Sequence, residues 1–237
     1  MENAVTVKSL TKKYQGFTLN NISFQIPKGC IVGFVGENGA GKSTTILSIL
    51  GVIPRDEGEV ELLGHKIRPR KEGTDTFDPS ADESWREQIG VVFDECNFST
   101  VLNVKLISKI MENVYRTWDN DKFLNYIRRF ELPLDKTVKD YSRGMKMKLS
   151  IAVALSHDSR LLILDEATSG LDPVVRNEIL DIFREFIEDG EHTIFLSSHI
   201  TSDIEKIADY VMLIHKGELL FSESKDDLLF RYGIVKC

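Results

Sequence analysis

The chain has 237 residues, 42% of them hydrophobic, enough for one large domain with an ample core. A formal net charge of −7 implies no uniformly basic face and speaks against a general nucleic-acid binder. Cys30, Cys96 and Cys237 are widely spaced with no C-x-x-C pair, as expected of a reduced cytoplasmic protein without disulfides or a zinc site.

The first four residues carry no leader-like basic segment, and no uncharged run approaches the roughly 18 residues of a membrane span, so work at a membrane would need another chain to cross it. Residues 5–10 and 17–26 alternate apolar with polar, Tyr14-Gln-Gly16 lies between them, and Pro27-Lys-Gly29 closes the second run, which predicts a β-hairpin. Tyr14 falls in the predicted turn, so its ring is free to stack on a flat partner such as a purine base.

An apolar run, residues 31–35, leads into Gly36-Glu37-Asn38-Gly39-Ala40-Gly41-Lys42-Ser43-Thr44, and a helix-patterned run follows until Gly51 and Pro54. The stretch reads G-x-x-x-x-G-K-S between a strand and a helix N-terminus, which is an anion cradle. Its glycines let the main chain close round phosphate oxygens, Lys42 supplies a point charge, and Ser43 can ligate Mg²⁺, with Thr44 adding a second hydroxyl.

Residues 59–63 read as a strand turning at Gly64, and residues 65–84, with Pro69, Gly73 and Pro79, as an exposed loop. Residues 89–93 form a short buried strand ending at Asp94. From there the period becomes helical over residues 104–114, 121–130 and 142–155, which predicts an all-helical lobe inserted in an α/β body.

The body resumes with the apolar run 161–164, a central parallel strand by its length and composition, ending at Asp165-Glu166. A helix over 173–188, a strand over 193–197 ending at His199, a helix marked by Ile204 and Ile207, and strands at 210–214 and 218–221 complete the alternation. The phosphate loop, Asp94, Asp165-Glu166 and His199 thus all fall at strand carboxyl ends, where ligands gather in such folds.

Asp165 is placed to hold Mg²⁺, Glu166 to polarise a water toward a γ-phosphate, and His199 to donate to that phosphate or orient the water. Ser142, at the start of the long helix, is fit to be its N-cap. Ser142-Arg143-Gly144-Met145 also makes a second anion site in a lobe that cannot easily reach its own phosphate loop, a difficulty that two copies facing head to tail would remove.

The ordered set of residues 36–44, 161–166, Ser169-Gly-Leu-Asp172 and Ser198-His199, with Ser142-Arg-Gly-Met145 ahead of the second motif, resembles the ATP-binding subunit of an ABC transporter over essentially the whole chain. The resemblance implies a P-loop NTPase (RecA-like) α/β core with an N-terminal antiparallel β subdomain, residues 1–94 and 157–237, and an inserted all-helical lobe, residues 95–156, in a single domain. It implies ATP and Mg²⁺ as cofactors, Tyr14 stacked on adenine, residues 36–44 on the phosphates, Glu166 as catalytic base and His199 as switch histidine. It also implies that Ser142, Arg143, Gly144 and Met145 contact ATP bound to a second ATP-binding subunit, that Asp172 helps join the two sites, and that a transmembrane permease is the partner. The chain would then be cytoplasmic and peripheral on the inner face of the membrane.

Two departures from the family pattern stand out. Tyr141-Ser-Arg-Gly-Met145 replaces the usual Leu-Ser-Gly-Gly-Gln, so the glutamine amide's hydrogen bond cannot be made by Met145, and Asp94 stands where the family has a Mg²⁺-contacting glutamine. Both resemble subunits paired with small ABC-2 type bacterial export permeases. A stand-alone soluble ABC-type ATPase acting as an assembly or scaffold factor is the other reading. A simple phosphate-loop kinase would leave Ser142–Met145 and Ser169–Asp172 unexplained.

Overall fold

Alternating sequence at the start of the chain does fold into an antiparallel hairpin, β1 (Asn3–Tyr14) and β2 (Phe17–Pro27), in the computed structural model, which describes residues 2–68 and 84–231. Tyr14 is the last residue of β1, paired with Phe17, and not part of the turn as the sequence suggested; the inter-strand pairing continues past residue 10, where the hydrophobic alternation ends. The chain continues through β3 (Ile31–Val35), α1 (Lys42–Ile49), β4 (Glu57–Leu62), β5 (His65–Lys66) and β6 (Ile89–Val92). Next come the helices α2 (Val104–Val114), α3 (Asn120–Arg129) and α4 (Arg143–Leu155). The series β7 (Leu161–Asp165), α5 (Pro173–Ile187), β8 (Thr193–Ser198), α6 (Thr201–Ile207), β9 (Tyr210–His215), β10 (Glu218–Ser224) and α7 (Lys225–Arg231) ends it.

The start of the predicted 65–84 loop is instead the short strand β5 paired with β4, and Ser84 opens a 3₁₀ turn. The remainder, with Pro69, Gly73 and Pro79, lies outside the described residues, as does Cys237. Cys30 is buried at the entrance of β3 and donates its thiol proton to the Pro27 carbonyl, and burial raises its pKa to about 12.

Two sheets result. The first has the order β2-β1-β4-β5 and is antiparallel; the second has the order β10-β9-β3-β8-β7-β6, parallel except at β10. Successive side chains of a strand point to opposite faces, and the core divides accordingly. Leu162 and Leu164 of β7 with Ile194 and Leu196 of β8 face the helical side, where α2 to α6 pack. Leu161, Ile163 and Phe195 face the other side, toward α1 and the antiparallel sheet. Phe24 of β2 meets Phe34 and Phe195 there, with ring centroids 6.3 and 5.9 Å away, so one aromatic triad ties the two sheets together.

The three helices between β6 and β7 share the helical-side core with the sheet. Their caps follow local sequence: the side chains of Asn103, Asp119 and Ser142 each accept a hydrogen bond from the third residue onward. Among the described residues no helix is long and apolar enough to cross a membrane.

His157, just beyond α4, is 3% exposed, stacks on Tyr115 with centroids 4.0 Å apart, and donates from Nδ1 to the Glu87 carbonyl at 2.7 Å. Burial lowers its pKa below the usual 6.5, so the fold holds it neutral while the unfolded chain takes up a proton as the pH falls through 6.5. Its contribution to stability is therefore complete above that value and is lost below it. Stability measured by thermal unfolding should fall between pH 6.5 and 5, and His157→Gln should flatten that segment of the profile.

Candidate functional site

The loop after β3 is shaped by what lies beneath it. A Cβ on Gly36 would meet the Ile214 carbonyl oxygen at 2.6 Å, and the Gly217 N–H donates to the Ala40 carbonyl at 2.9 Å, so β9 and its turn hold the loop from below. Gly41, the N-cap of α1, adopts φ 113, and Phe17 lies 3.0 Å from where its Cβ would be. Gly41 makes no side-chain cap, and α1 has no acid in its first turn, so the first N–H groups of the helix remain available to an anion. Glu37, Asn38, Gly39 and Ser43 are exposed, Thr44 is half-buried, and Ala40 is buried.

Lys42 is 5% exposed and folded over the loop. Its ammonium donates to the carbonyls of Gly36 (2.7 Å) and Glu37 (3.2 Å) and lies 3.1 Å from Glu166 Oε1. Glu166 follows β7 with φ 54, a left-handed conformation that costs a non-glycine residue roughly 1–2 kcal/mol. Its N–H donates to the Ser197 carbonyl at 3.1 Å, and its Oε2 is 2.6 Å from Nδ1 of His199. Oε1 accepts no well-aligned hydrogen bond although it is buried, the ammonium of Lys42 being its neighbour.

Parallel register brings these groups together. Val35 pairs with Ser198 and Asp165 with Ser197, so the ends of β3, β8 and β7 are level. Asp165 is 5% exposed, and its Oδ1 accepts the Ser197 hydroxyl proton at 2.6 Å. Asp94 is exposed two residues beyond β6, which pairs with β7, so it stands on the same edge as Asp165. Tyr14 is 47% exposed, with the Lys12 ammonium 5.3 Å from its ring centroid. Its cross-strand partner Phe17 is the side chain packed against Gly41, which sets the hairpin end beside the loop.

The remaining candidates form a second group. Ser142 is exposed and accepts from the Met145 N–H at 3.2 Å; Met145 is half-buried against the helical-side core. The Arg143 guanidinium lies over Gly170, whose added Cβ would meet Nη1 at 2.9 Å, and Gly144 lies beside Leu171 and Val175. Asp172 caps α5, accepting from the N–H groups of Val174 and Val175 at 3.1 Å each. No hydrogen bond or ion pair joins Ser142, Arg143, Gly144 or Met145 to Lys42, Glu166 or His199 among the described residues.

The loop fits a triphosphate, since Gly36 and Gly41 let its main chain pack closely on Ile214 and Phe17 beneath it and the first N–H groups of α1 are left without a side-chain cap. Ser43 and Asp165 offer the oxygen donors that Mg²⁺ prefers. Among the described residues no cluster of three or more His, Cys, Asp or Glu can hold a metal, so protein side chains alone would not complete its coordination and phosphate and water oxygens would fill the rest. Sequence reasoning missed Ser197 and Phe17. Ser197 reaches Asp165 only through strand order, and Phe17 reaches Gly41 only through the packing of one sheet on the other.

A strand, a glycine turn and a helix N-terminus with a buried lysine facing strand-end acids define a phosphate-loop nucleoside triphosphatase. The chain belongs to the ABC transporter family, whose sequence model matches residues 19–169, and it is an ATP-binding, ATP-hydrolysing subunit of that family. It is 34% identical over 225 residues to the bacitracin transport ATP-binding protein BcrA of Enterococcus faecalis, covering 93% of this chain and 69% of that one. It is 32% identical over 228 residues to the lantibiotic transport ATP-binding protein SrtF of Streptococcus pyogenes, covering 93% and 90%. The Nod factor export ATP-binding protein I of Rhizobium meliloti is 34% identical over 222 residues, 90% of this chain and 62% of that one. A solved ATP-binding subunit of an ABC transporter superposes with a TM-score of 0.81 at 25% identity, over 96% of this chain and 92% of the other.

Gly36→Ala should destabilise the protein by about 1–3 kcal/mol, because the new methyl meets main chain that cannot yield. The loop should move off β9, and ATP affinity measured by titration calorimetry should fall with it.

Proposed function

We propose that two copies of this chain, or this chain and a related one, close head to tail around two Mg·ATP and hydrolyse them to drive a separate membrane permease in the direction of export. The observation that carries the reading is the line Lys42–Glu166–His199, with contacts of 3.1 and 2.6 Å, laid across the carboxyl ends of β3, β7 and β8. Binding of the outer phosphates draws the Lys42 ammonium away from the carbonyls of Gly36 and Glu37. That frees Glu166 to accept a proton from water, while His199 holds Glu166 in place and faces the γ-phosphate. Residues 36–44 wrap the phosphates, and the Tyr14 ring takes the adenine. Ser43 and Asp165, with Asp94 through water, would hold Mg²⁺, whose charge would neutralise the phosphate oxygens.

Ser142, Arg143 and Gly144, with the main chain at Met145, sit at the tip of α4 apart from their own loop, and the facing subunit's ATP is the anion they suit. Asp172 then lies at the junction of the two subunits. The names of the relatives, transporters of bacitracin and lantibiotics and an exporter of Nod factor, support export across a membrane by a partner that spans it. This chain would work on the cytoplasmic face. The docking surface is the exposed ridge Leu106, Ile110 and Val114 of α2, spaced one turn apart beside Val101, which is 73% exposed; a short amphipathic permease helix fits such a ridge.

Glu166→Gln should bind ATP with near-normal affinity and turn it over at least about 100-fold more slowly, so that dimer accumulates in size-exclusion chromatography with Mg·ATP. Normal turnover in this variant removes the assignment. Ile110→Asp should leave ATP hydrolysis by the purified chain intact. It should abolish recovery of a polytopic membrane partner from detergent-solubilised membranes, and recovery of soluble partners alone by the unmodified chain would favour an assembly role instead.

A further inference from the structure

The helix that follows His199 and the loop that contains Asp172 are joined by one side chain that belongs to neither. Arg176 lies in the first turn of α5; its Nη2 donates to the Leu171 carbonyl at 3.0 Å, and its Nε lies 3.9 Å from Oδ2 of Asp203. Asp203 stands in the first turn of α6 and is 1% exposed. Neither of its carboxylate oxygens accepts a hydrogen bond from the described residues and Arg176 Nε donates none, so the two groups face each other as opposite charges without a hydrogen bond between them. A carboxylate at that depth is retained only at considerable cost, offset here by the nearby cation.

Both ends of this link are held. The Asp203 N–H donates to the Ile200 carbonyl at 3.2 Å, and the Ile200 N–H donates to Ser198 Oγ at 3.0 Å, so the turn containing His199 is continuous with the turn bearing Asp203. The next residue, Ile204, fills the space over Gly33, where an added Cβ would lie 2.4 Å from its Cγ2, which fixes α6 against β3. On the other side of the 169–172 loop the Arg143 guanidinium covers Gly170. The loop is therefore gripped between α4 and α6, and Arg176 is the grip on the α6 side.

We infer that Arg176 and Asp203 are positioning residues that set the aim of His199 according to where the 169–172 loop lies. Hydrolysis at one nucleotide then depends on the loop that faces the neighbouring subunit. The inference rests on the reading that His199 serves the hydrolytic step. It commits to a direction: the loop moves Leu171, Leu171 moves Arg176, and Arg176 turns the start of α6 through Asp203. Arg176 is required as a fork, because a lysine could reach Asp203 or the Leu171 carbonyl and not both.

A double-mutant cycle on the full chain tests it, with ATP turnover followed by sensitive phosphate release in Arg176→Gln, His199→Ala and the double variant. Arg176→Gln should lower kcat by about three- to thirtyfold with KM for ATP unchanged, as for a coupling residue, and should add no further loss once His199 is alanine. An equal loss in both backgrounds, or no loss in either, overturns the inference and leaves the role of His199 standing. If His199→Ala alone keeps normal turnover, the reading beneath it fails instead and the inference falls with it. Asp203→Asn, equal in size, runs the same cycle should Arg176→Gln fold poorly, and Arg176→Lys should resemble Arg176→Gln and not the unmodified chain.

Discussion

Level strand ends are the constraint from which the rest of the structure follows. In a parallel sheet neighbouring strands lie about 4.8 Å apart, so residues ending β3, β8 and β7 at the same height stand within about 10 Å of one another. The pairings Val35 with Ser198 and Asp165 with Ser197 set that height. Moving one strand by a single residue would turn Ile194 and Leu196 out of the helical-side core and carry Ser197 away from Asp165. The same burial that stabilises the sheet therefore fixes the spacing of the chemical groups.

Charge is arranged on that edge with little freedom. Glu166 takes a left-handed backbone conformation, turning its carboxylate back toward the phosphate loop instead of continuing the strand, and its N–H bond to Ser197 helps hold the turn. A buried ammonium and a partly buried carboxylate are each costly to desolvate, and their 3.1 Å approach, with two loop carbonyls on Lys42, offsets the cost. Under the proposed mechanism the incoming phosphates replace the carbonyls and the carboxylate as partners of Lys42, so what stabilises the resting loop is also what is exchanged on binding.

The helices between β6 and β7 do not form a core of their own. Val104, Ile107, Phe123 and Ile127 belong to the same buried cluster as Leu162, Ile179 and Phe183, so their orientation is transmitted directly to the sheet and to α5. The 169–172 loop lies where α4, α5 and the end of β7 meet, with Arg143 on one side and Arg176 on the other. With Leu171 buried in the helical-side core between the two guanidinium groups, the loop can shift only together with the elements that pack on it.

The sequence by itself determined whatever depends on neighbours along the chain. Alternation marked β1 and β2, an uninterrupted apolar run marked β7, and a helical period marked α2; G-x-x-x-x-G-K-S marked the loop, since its geometry needs only a strand, glycines and a helix start. It missed β5 and α7, which bury too little to leave a periodic trace, and it placed Tyr14 in a turn because strand pairing outlasts the apolar pattern. Tertiary structure alone decided strand order, and with it that Ser197 serves Asp165, Phe17 backs Gly41, Met145 turns inward and Arg143 lies over Gly170. Those contacts join residues far apart in sequence through packing of layers, which no local pattern encodes.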